Sequence, residues 1–264
     1  METRTDEIAD RIYRISTFIP EIAPPAGFTF NQFLIDAEEP LLYHTGQKQL
    51  FPLVSEAVAK VVPLERLRWI AFSHFEADEC GAMNDFLAAA PRAEVAGNAV
   101  GCILSLEDQA IRPPFGMRDG DVLDIGGKIL RRRVRNIDTP HVPHTWEART
   151  VYEEETGTLF CGDLLTHVGR GQPAVTNDDL VGAAVEAETM FRFTSCLTAT
   201  ATTLRSLADL SPTTLAVMHG SSYNGDCAGA LKTLADEFEA RFSEPGLVAS
   251  RGVLPDVPLG AHPG

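Results

Sequence analysis

The segment His74-Phe75-Glu76-Ala77-Asp78-Glu79 packs four side chains that can bind metals into six consecutive residues. It directly follows the apolar run 69–73, which is typical of the end of a buried strand. The small residues 80–82 predict a turn after it, and we expect a helix to begin at Met83. One imidazole and three carboxylates are costly to bury at such a junction unless cations neutralise them. The segment therefore predicts a metal site, and its carboxylates favour iron or manganese over an all-histidine or thiolate zinc site.

The composition is that of a globular protein with a sizeable core. The chain has 264 residues, of which 44% are hydrophobic, and this predicts one domain over 1–264 with a Pro- and Gly-rich tail at 245–264. The formal charge of −15 argues against binding to nucleic acid or to an anionic membrane. The chain contains no apolar run of about 18 residues and no apolar segment near its start, so neither a membrane span nor a secretory signal is predicted. We therefore expect a cytoplasmic protein.

The hydrophobic pattern predicts strands first, then strand–helix units, then hairpins, then helices around a last strand. Strands are predicted at 11–15, 28–36, 41–45, 69–73, 148–152, 157–161 and 214–218, and helices at 53–61, 178–210 and 228–242. A strand–helix unit is expected over 93–106, and 122–130 predicts a hairpin followed by a basic, solvated strand face at 131–135. This order predicts an α/β fold, a four-layer αββα sandwich. A three-layer α/β fold is the alternative.

Four further positions lie at strand ends or in the loops that follow them. His141 and His144 belong to one loop, Asp163 follows the apolar run 157–161, and His219 follows the apolar run 214–218. Residues at the carboxyl ends of neighbouring strands project into a common cleft. We therefore expect these side chains to meet the 74–79 segment.

The order H-x-E-x-D-(H/E), then a His, an Asp after an apolar strand and a late His resembles the metallo-β-lactamase fold. The Glu at the third place resembles the pattern of the iron-binding flavodiiron branch. The spacing from His144 to Asp163 is similar to the spacing between the ligand His and the bridging Asp in this family. This resemblance covers 28 to about 226. It implies that one iron is held by His74, Glu76 and His144 and a second by Asp78 and His219, with Asp163 bridging both. Glu79 stands where many relatives have His, which implies either an added oxygen ligand or an open water position.

The chain departs from full-length flavodiiron proteins in one large respect. Those proteins continue into a flavodoxin domain that binds FMN, and neither such a domain nor a glycine-rich phosphate loop is visible here. We therefore expect two iron ions, with zinc or manganese as alternatives, and no flavin in this chain. The resemblance then favours the standalone oxygen-binding di-iron proteins and implies an external flavoprotein or rubredoxin-like electron donor. A homodimer is a further expectation from the resemblance.

Three residues near the expected ligands have open roles. His141 is either a ligand or a loop residue beside the ligand His144. His167 is either a hydrogen-bond donor to bound dioxygen or an exposed loop histidine. Tyr223 is expected either to line the pocket or to pack in the core.

The leading functional hypothesis is a non-haem di-iron protein that binds dioxygen or nitric oxide, and either reduces it or acts as a sensor. The alternative is a binuclear metallohydrolase in which a metal-bridging hydroxide attacks an ester, lactone, thioester or phosphodiester. The fold is shared, so it does not separate the two. A third hypothesis is a metal-stabilised signalling module without turnover.

Overall fold

The computed structural model describes residues 1–126 and 131–242, apart from the side chain of Leu197. The first seven strands form one mixed sheet in chain order, antiparallel from β1 to β4 and parallel from β4 to β7. Their bounds are β1 Glu2–Ala9, β2 Ile12–Ile19, β3 Phe28–Ile35, β4 Leu41–Tyr43, β5 Trp69–Ala71, β6 Glu94–Asn98 and β7 Phe115–Met117.

The second half of the chain forms another seven-stranded sheet, in the order β12-β14-β13-β11-β10-β9-β8. Within it β11 and β13 are parallel neighbours, with Leu159 opposite Leu215. The bounds are β8 Val122–Gly126, β9 Arg132–Asp138, β10 Arg149–Glu153, β11 Thr158–Phe160, β12 Val175–Thr176, β13 Thr214–Ala216 and β14 Ser222–Tyr223.

Helices cover the outer face of each sheet. The first sheet carries α1 Phe51–Ala59, α2 Ala77–Cys80, α3 Met83–Ala89, α4 Ala99–Gly101 and α5 Glu107–Gln109, with a π-helical turn at Cys102–Leu106 and 3-10 turns at Lys48–Leu50 and Leu64–Arg66. The second carries α6 Val181–Phe191, α7 Leu197–Ala208 and α8 Cys227–Phe242. No helix in the described ranges is long and apolar enough to cross a bilayer.

Three apolar clusters correspond to the three interfaces between four layers. One packs the first sheet against α1 and α3, a second packs the other sheet against α6, α7 and α8, and the third lies between the sheets. The between-sheet cluster includes Phe33 and Tyr43 from one sheet and Phe160 from the other. The predicted αββα sandwich is confirmed.

Several local predictions differ from the structure. A strand at Glu2–Ala9 was not predicted, and the expected loop after His74 contains the short helix α2. The basic run is not simply a solvated face, because Arg132 is buried and contacts both Asp10 and Glu153. The second half of the hairpin predicted at 122–130 and the tail at 245–264 lie outside the described residues.

Four loops that follow strands meet at one edge of the sandwich. They come after β5 in the first sheet and after β9, β11 and β13 in the second. Backbone hydrogen bonds join the two sheets there, from Arg149 N–H to the Ser73 carbonyl at 2.9 Å and from Asn31 N–H to the Met218 carbonyl at 3.0 Å. This edge carries the metal-competent side chains.

Candidate metal centre

Four ligand atoms converge from three loops. His74, Glu76, His144 and Asp163 each offer one atom, and these atoms all lie within 4.8 Å of one another. Nε2 of His74 lies 2.8 Å from Glu76 Oε2 and 2.9 Å from His144 Nε2. Asp163 Oδ2 lies 3.4 Å from His144 Nε2 and 3.6 Å from His74 Nε2. Such a cluster of nitrogen and oxygen atoms is able to hold one metal ion.

The other oxygen of Asp163 faces a second group. Asp163 Oδ1 lies 3.2 Å from Nε2 of His219, which is itself 3.4 Å from Asp78 Oδ2. Asp163 therefore stands between two sets of side chains, with one oxygen directed toward each. This is the arrangement that a bridging carboxylate needs.

The electrostatics of the cluster fit bound cations. Burial alone would lower the pKa of His74, but the carboxylates of Glu79, Glu76 and Asp163 outweigh it and raise that pKa to about 10. Asp163 and Asp78 likewise overcome burial and raise the pKa of His219 to about 10. Hydrogen bonds from His144 and His74 lower the pKa of Glu76 to about 2. Without metal, protons on the imidazoles are what balances these carboxylates.

Two features of the cluster leave lone pairs that a metal would accept. Asp163 Oδ1 is buried and makes no well-aligned hydrogen bond, and Nε2 of His219 lies 3.2 Å from it. The 2.9 Å separation of His74 Nε2 from His144 Nε2 allows only one proton between two nitrogens. A buried acceptor without a donor is costly. The donor set of His74, Glu76, His144 and Asp163 therefore fits a bound metal ion, and the second oxygen of Asp163 faces His219, which is close to Asp78.

His219 is oriented by the neighbouring strand β3. Its Nδ1 lies 2.7 Å from the Thr29 carbonyl, and a carbonyl only accepts, so Nδ1 carries the proton and Nε2 is left for the cluster. Asn31 and the buried Arg14 both donate to the Gly220 carbonyl, at 2.9 Å and 2.8 Å. These bonds fix the turn on which His219 stands.

His167 is neither exposed nor free to contact a bound gas. It is buried, its Nδ1 donates to the Leu165 carbonyl at 2.9 Å, and its Nε2 accepts the Ser221 N–H at 2.8 Å. The backbone N–H of His167 donates to the backbone carbonyl of His219. A Cβ on Gly220, at φ +111°, would fall 2.1 Å from His167 Nε2. In this structure His167 braces the His219 turn, and we assign it no role as a donor to dioxygen.

Tyr223 lies in the core between the second sheet and the helices that cover its outer face. It belongs to β14, is buried, and packs in the cluster formed with α6, α7 and α8. Its position favours the packing role over a role in lining the pocket. His141 is exposed and does not join the four-residue group, whereas His144 from the same loop does.

Glu79 is buried directly behind His74, on the side away from the converging ligand atoms. Its Oε2 accepts the N–H groups of Ser73 and His74 at 2.8 Å and 2.9 Å, and its Oε1 accepts the Ser73 hydroxyl at 2.5 Å. The expected ligation by Glu79 is not the arrangement in this structure. The second group therefore has three side chains, Asp78, Asp163 and His219, where the first has four.

Sequence reasoning assigned no role to Ser73 and His44. Ser73 Oγ lies 2.9 Å from His74 Nδ1, and the buried Nε2 of His44 lies 3.3 Å from Glu79 Oε1. Burial lowers the pKa of His44 to about 3, so this ring is neutral. Ser73 directly precedes the predicted ligand His74, so a supporting role was predictable from its position. Nothing in the sequence pattern predicts a role for His44.

Aromatic rings form the walls of the centre. Phe28 stacks on His219 with ring centroids 4.4 Å apart, and Phe30 meets the same imidazole edge-on at 5.3 Å. Phe193 stands edge-on to His144 at 6.3 Å. Toward solvent the cluster is more open, because the side chain of Glu76 is 53% exposed.

A family model described as ODP family beta lactamase matches residues 28–220, and the chain belongs to this family. Diflavin flavoprotein A 1 of Synechocystis sp. is 25% identical over 174 residues, which cover 62% of this chain and 29% of that protein. The chain thus spans less than a third of that relative's length.

Solved structures show the same fold at low identity. Rubredoxin oxygen:oxidoreductase from Desulfovibrio gigas superposes with a TM-score of 0.78 at 17% identity, covering 89% of this chain and 62% of that one. The flavodiiron protein from Giardia intestinalis superposes with a TM-score of 0.73 at 16% identity, covering 90% and 60%. The predicted resemblance to the flavodiiron branch of the metallo-β-lactamase fold is confirmed.

Proposed function

We propose that this chain is a non-haem di-iron protein that binds dioxygen or nitric oxide and reduces it with electrons from an external donor. The observation that carries the proposal is the position of Asp163. Its Oδ2 faces His74 and His144 while its Oδ1 faces His219, so one carboxylate serves two neighbouring metal positions. Two ferrous ions held at these positions would supply one electron each.

The donor set supports iron over zinc. Three imidazoles and the three carboxylates of Glu76, Asp78 and Asp163 form a mixed nitrogen–oxygen environment without thiolates. Carboxylate ligands stabilise a ferric ion, and neutral imidazoles keep the ferrous state accessible. When bound, iron supplies reversible one-electron chemistry at each position. The carboxylate of Glu76, where zinc hydrolases of this fold carry His by resemblance, argues against the hydrolase alternative.

The surrounding side chains suit a small apolar gas. Phe28 and Phe30 cover the imidazole of His219 and exclude water from that side of the centre. His144 and Glu76 stand at the solvent-facing side, with 20% and 53% of their side chains exposed. That side is the shortest route for electrons from another protein.

The names of related proteins support an external electron donor. One relative is a diflavin flavoprotein and one structural neighbour is a rubredoxin oxygen:oxidoreductase, and this chain covers 29% and 62% of their lengths. We therefore propose a flavoprotein or a rubredoxin-like protein as the donor. Without such a donor, the centre would react once and then serve as an oxygen sensor.

Metal analysis and oxygen uptake test the proposal together. The chain is purified without oxygen, its iron and zinc are measured, and it is then mixed with dissolved dioxygen while visible absorbance and oxygen consumption are followed. We expect two irons per chain, a new visible absorption, and uptake that stops until a reductant is added. Asp163→Asn should lose the response, whereas Tyr223→Phe, in a separate core cluster, should keep it.

The opposite result is equally specific. Two tightly held zinc ions, no oxygen uptake after iron loading, and hydrolysis of an ester or phosphodiester would refute the redox function and favour the hydrolase.

A further inference from the structure

We propose that Glu79 is a positioning residue: through the hydroxyl of Ser73 it holds His74 in the tautomer that presents Nε2 to the metal. This inference rests on the assignment of His74 as a ligand and not on iron or oxygen chemistry. It concerns a buried chain of hydrogen bonds that runs from Glu79 through Ser73 to His74.

The direction of each hydrogen bond in this chain follows from the chemistry of the groups. A cation bound at His74 favours the ionised form of the buried Glu79. An ionised carboxylate only accepts, and the oxygens of Glu79 face two backbone N–H groups and the hydroxyl of Ser73. Ser73 has one hydroxyl proton, and its 2.5 Å contact with Glu79 Oε1 uses it. The remaining contact of Ser73 Oγ, with His74 Nδ1 at 2.9 Å, must then be one in which the ring donates.

The proton on Nδ1 determines what the other ring nitrogen is able to do. A neutral imidazole has one N–H, so a proton on Nδ1 leaves a lone pair on Nε2. In His74 that Nε2 is the atom that faces Glu76 and His144. Outer hydrogen-bond partners fix the tautomer and ring orientation of metal-binding histidines in this way.

The hydrogen bonds from Glu79 through Ser73 to His74 form a relay, and the packing around this relay leaves the Glu79 side chain little freedom to turn toward the metals. It is fully buried, and His44 lies against Oε1 at 3.3 Å. Ser73 is held from the other side by Gly162, where a Cβ would fall 2.5 Å from Ser73 Oγ. Gly162 precedes Asp163, so the relay also contacts the backbone that carries the bridging carboxylate.

Replacing the carboxylate with an amide should reverse the relay. In Glu79→Gln the amide oxygen must take the place of Oε2, because the two backbone N–H groups only donate. The amide nitrogen then replaces Oε1 and donates to Ser73 Oγ. Ser73 is thereby freed to donate to His74 Nδ1, which moves the ring proton to Nε2, where it competes with the metal.

Zinc titration of the metal-free full chain tests this, because Zn²⁺ binding needs no redox chemistry. We expect Glu79→Gln to raise the dissociation constant of the tighter Zn²⁺ site by about 10- to 100-fold. Ser73→Ala should raise it less, since Glu79 Oε1 remains 3.4 Å from His74 Nδ1. The double variant should bind no more weakly than Glu79→Gln, because the same amide nitrogen opposes a proton on His74 Nδ1 in both, through Ser73 in one and directly in the other.

Glu153→Gln is the matched control. Glu153 is also a buried carboxylate that accepts two backbone N–H groups and one hydroxyl, from Glu155 and Thr156, but it is the last residue of β10, next to the turn that leads to β11. This variant should keep its Zn²⁺ affinity within about twofold of the wild type, even where its melting temperature falls.

Nitrogen-15 spectra of histidine in the zinc-loaded wild type give a readout that no folding defect affects. We expect a slowly exchanging Nδ1–H on His74. Its absence, an unchanged affinity in Glu79→Gln, or losses that add in the double variant would each overturn the proposal. None of these results depends on oxygen uptake, so the positioning role and the redox function fail separately.

Discussion

Metal binding to the metal-free protein should release protons, and the structure sets their number. His74 and His219 each have a pKa raised to about 10, so both imidazoles are protonated at pH 7. A metal needs the neutral ring, and the proton must leave before Nε2 binds. His144 also has a raised pKa, but its Nε2 shares one proton position with His74. We therefore expect about two protons released per chain when both positions fill.

The size of the effect follows from the same pKa values. The pKa of His74 and of His219 is about 10, which lies about three pH units above pH 7. Removing the proton from either ring at pH 7 therefore costs roughly 4 kcal/mol. Each displaced proton makes the observed affinity rise roughly tenfold per pH unit in this range. Filling both positions should therefore become roughly 100-fold more favourable between pH 7 and pH 8.

Calorimetric titration with Zn²⁺ in two buffers of different ionisation heat counts the protons directly. The difference in heat between the buffers, divided by the difference in their ionisation heats, is the number released. His141→Ala is the control, because His141 is exposed and outside the four-residue group, and it should leave the count unchanged. Heats that do not depend on the buffer would refute the reasoning.

Three further outcomes are expected. Gly220→Ala should lower the metal content measured by elemental analysis, because its Cβ would fall 2.1 Å from His167 at a φ of +111°. Gly169→Ala is the control, since Gly169 has a φ of +112° but nothing within 4 Å of the added Cβ. It carries the same backbone strain without the clash and should keep both metals. Asp163→Asn should hold no more than one metal per chain after dialysis, and two retained metals would contradict a bridging role. The metal-free protein should lose stability as pH rises, because the pKa values of His74 and His219 lie above the unfolded value of about 6.5. That stabilisation is fully present below pH of about 6.5 and is lost as pH approaches about 10, so the melting temperature should fall across this window, and a rise would contradict it.

The layers of the fold were predictable because strands and helices leave local patterns. The strand at Phe28–Ile35 and the helix at Cys227–Phe242 lie within a few residues of their predicted positions. Short elements such as β12 and β14 have two residues each and leave no periodicity to detect. The strand β1 was missed because its sequence is largely charged and it lies at the edge of the sheet, with one partner strand.

The expectation that Glu79 binds metal came from the resemblance, which implied either an added oxygen ligand or an open water position at this place. The structure has a helical turn there, α2, which begins after Glu76. Neighbouring residues on a helix point about 100° apart, so Asp78 and Glu79 cannot face the same way. Asp78 approaches His219, and Glu79 turns inward to Ser73.

The amino-acid order was enough to establish which side chains are available for metal binding and that they follow apolar strands. Hydrophobic periodicity and ligand chemistry are properties of short stretches and need no partner to be recognised. Which oxygen of Asp163 faces which histidine, and that His44 lies against Glu79, depends on contacts between residues far apart in the chain. The two packed sheets bring these groups within hydrogen-bond range, and burial there leaves each polar atom only the partners that the fold supplies.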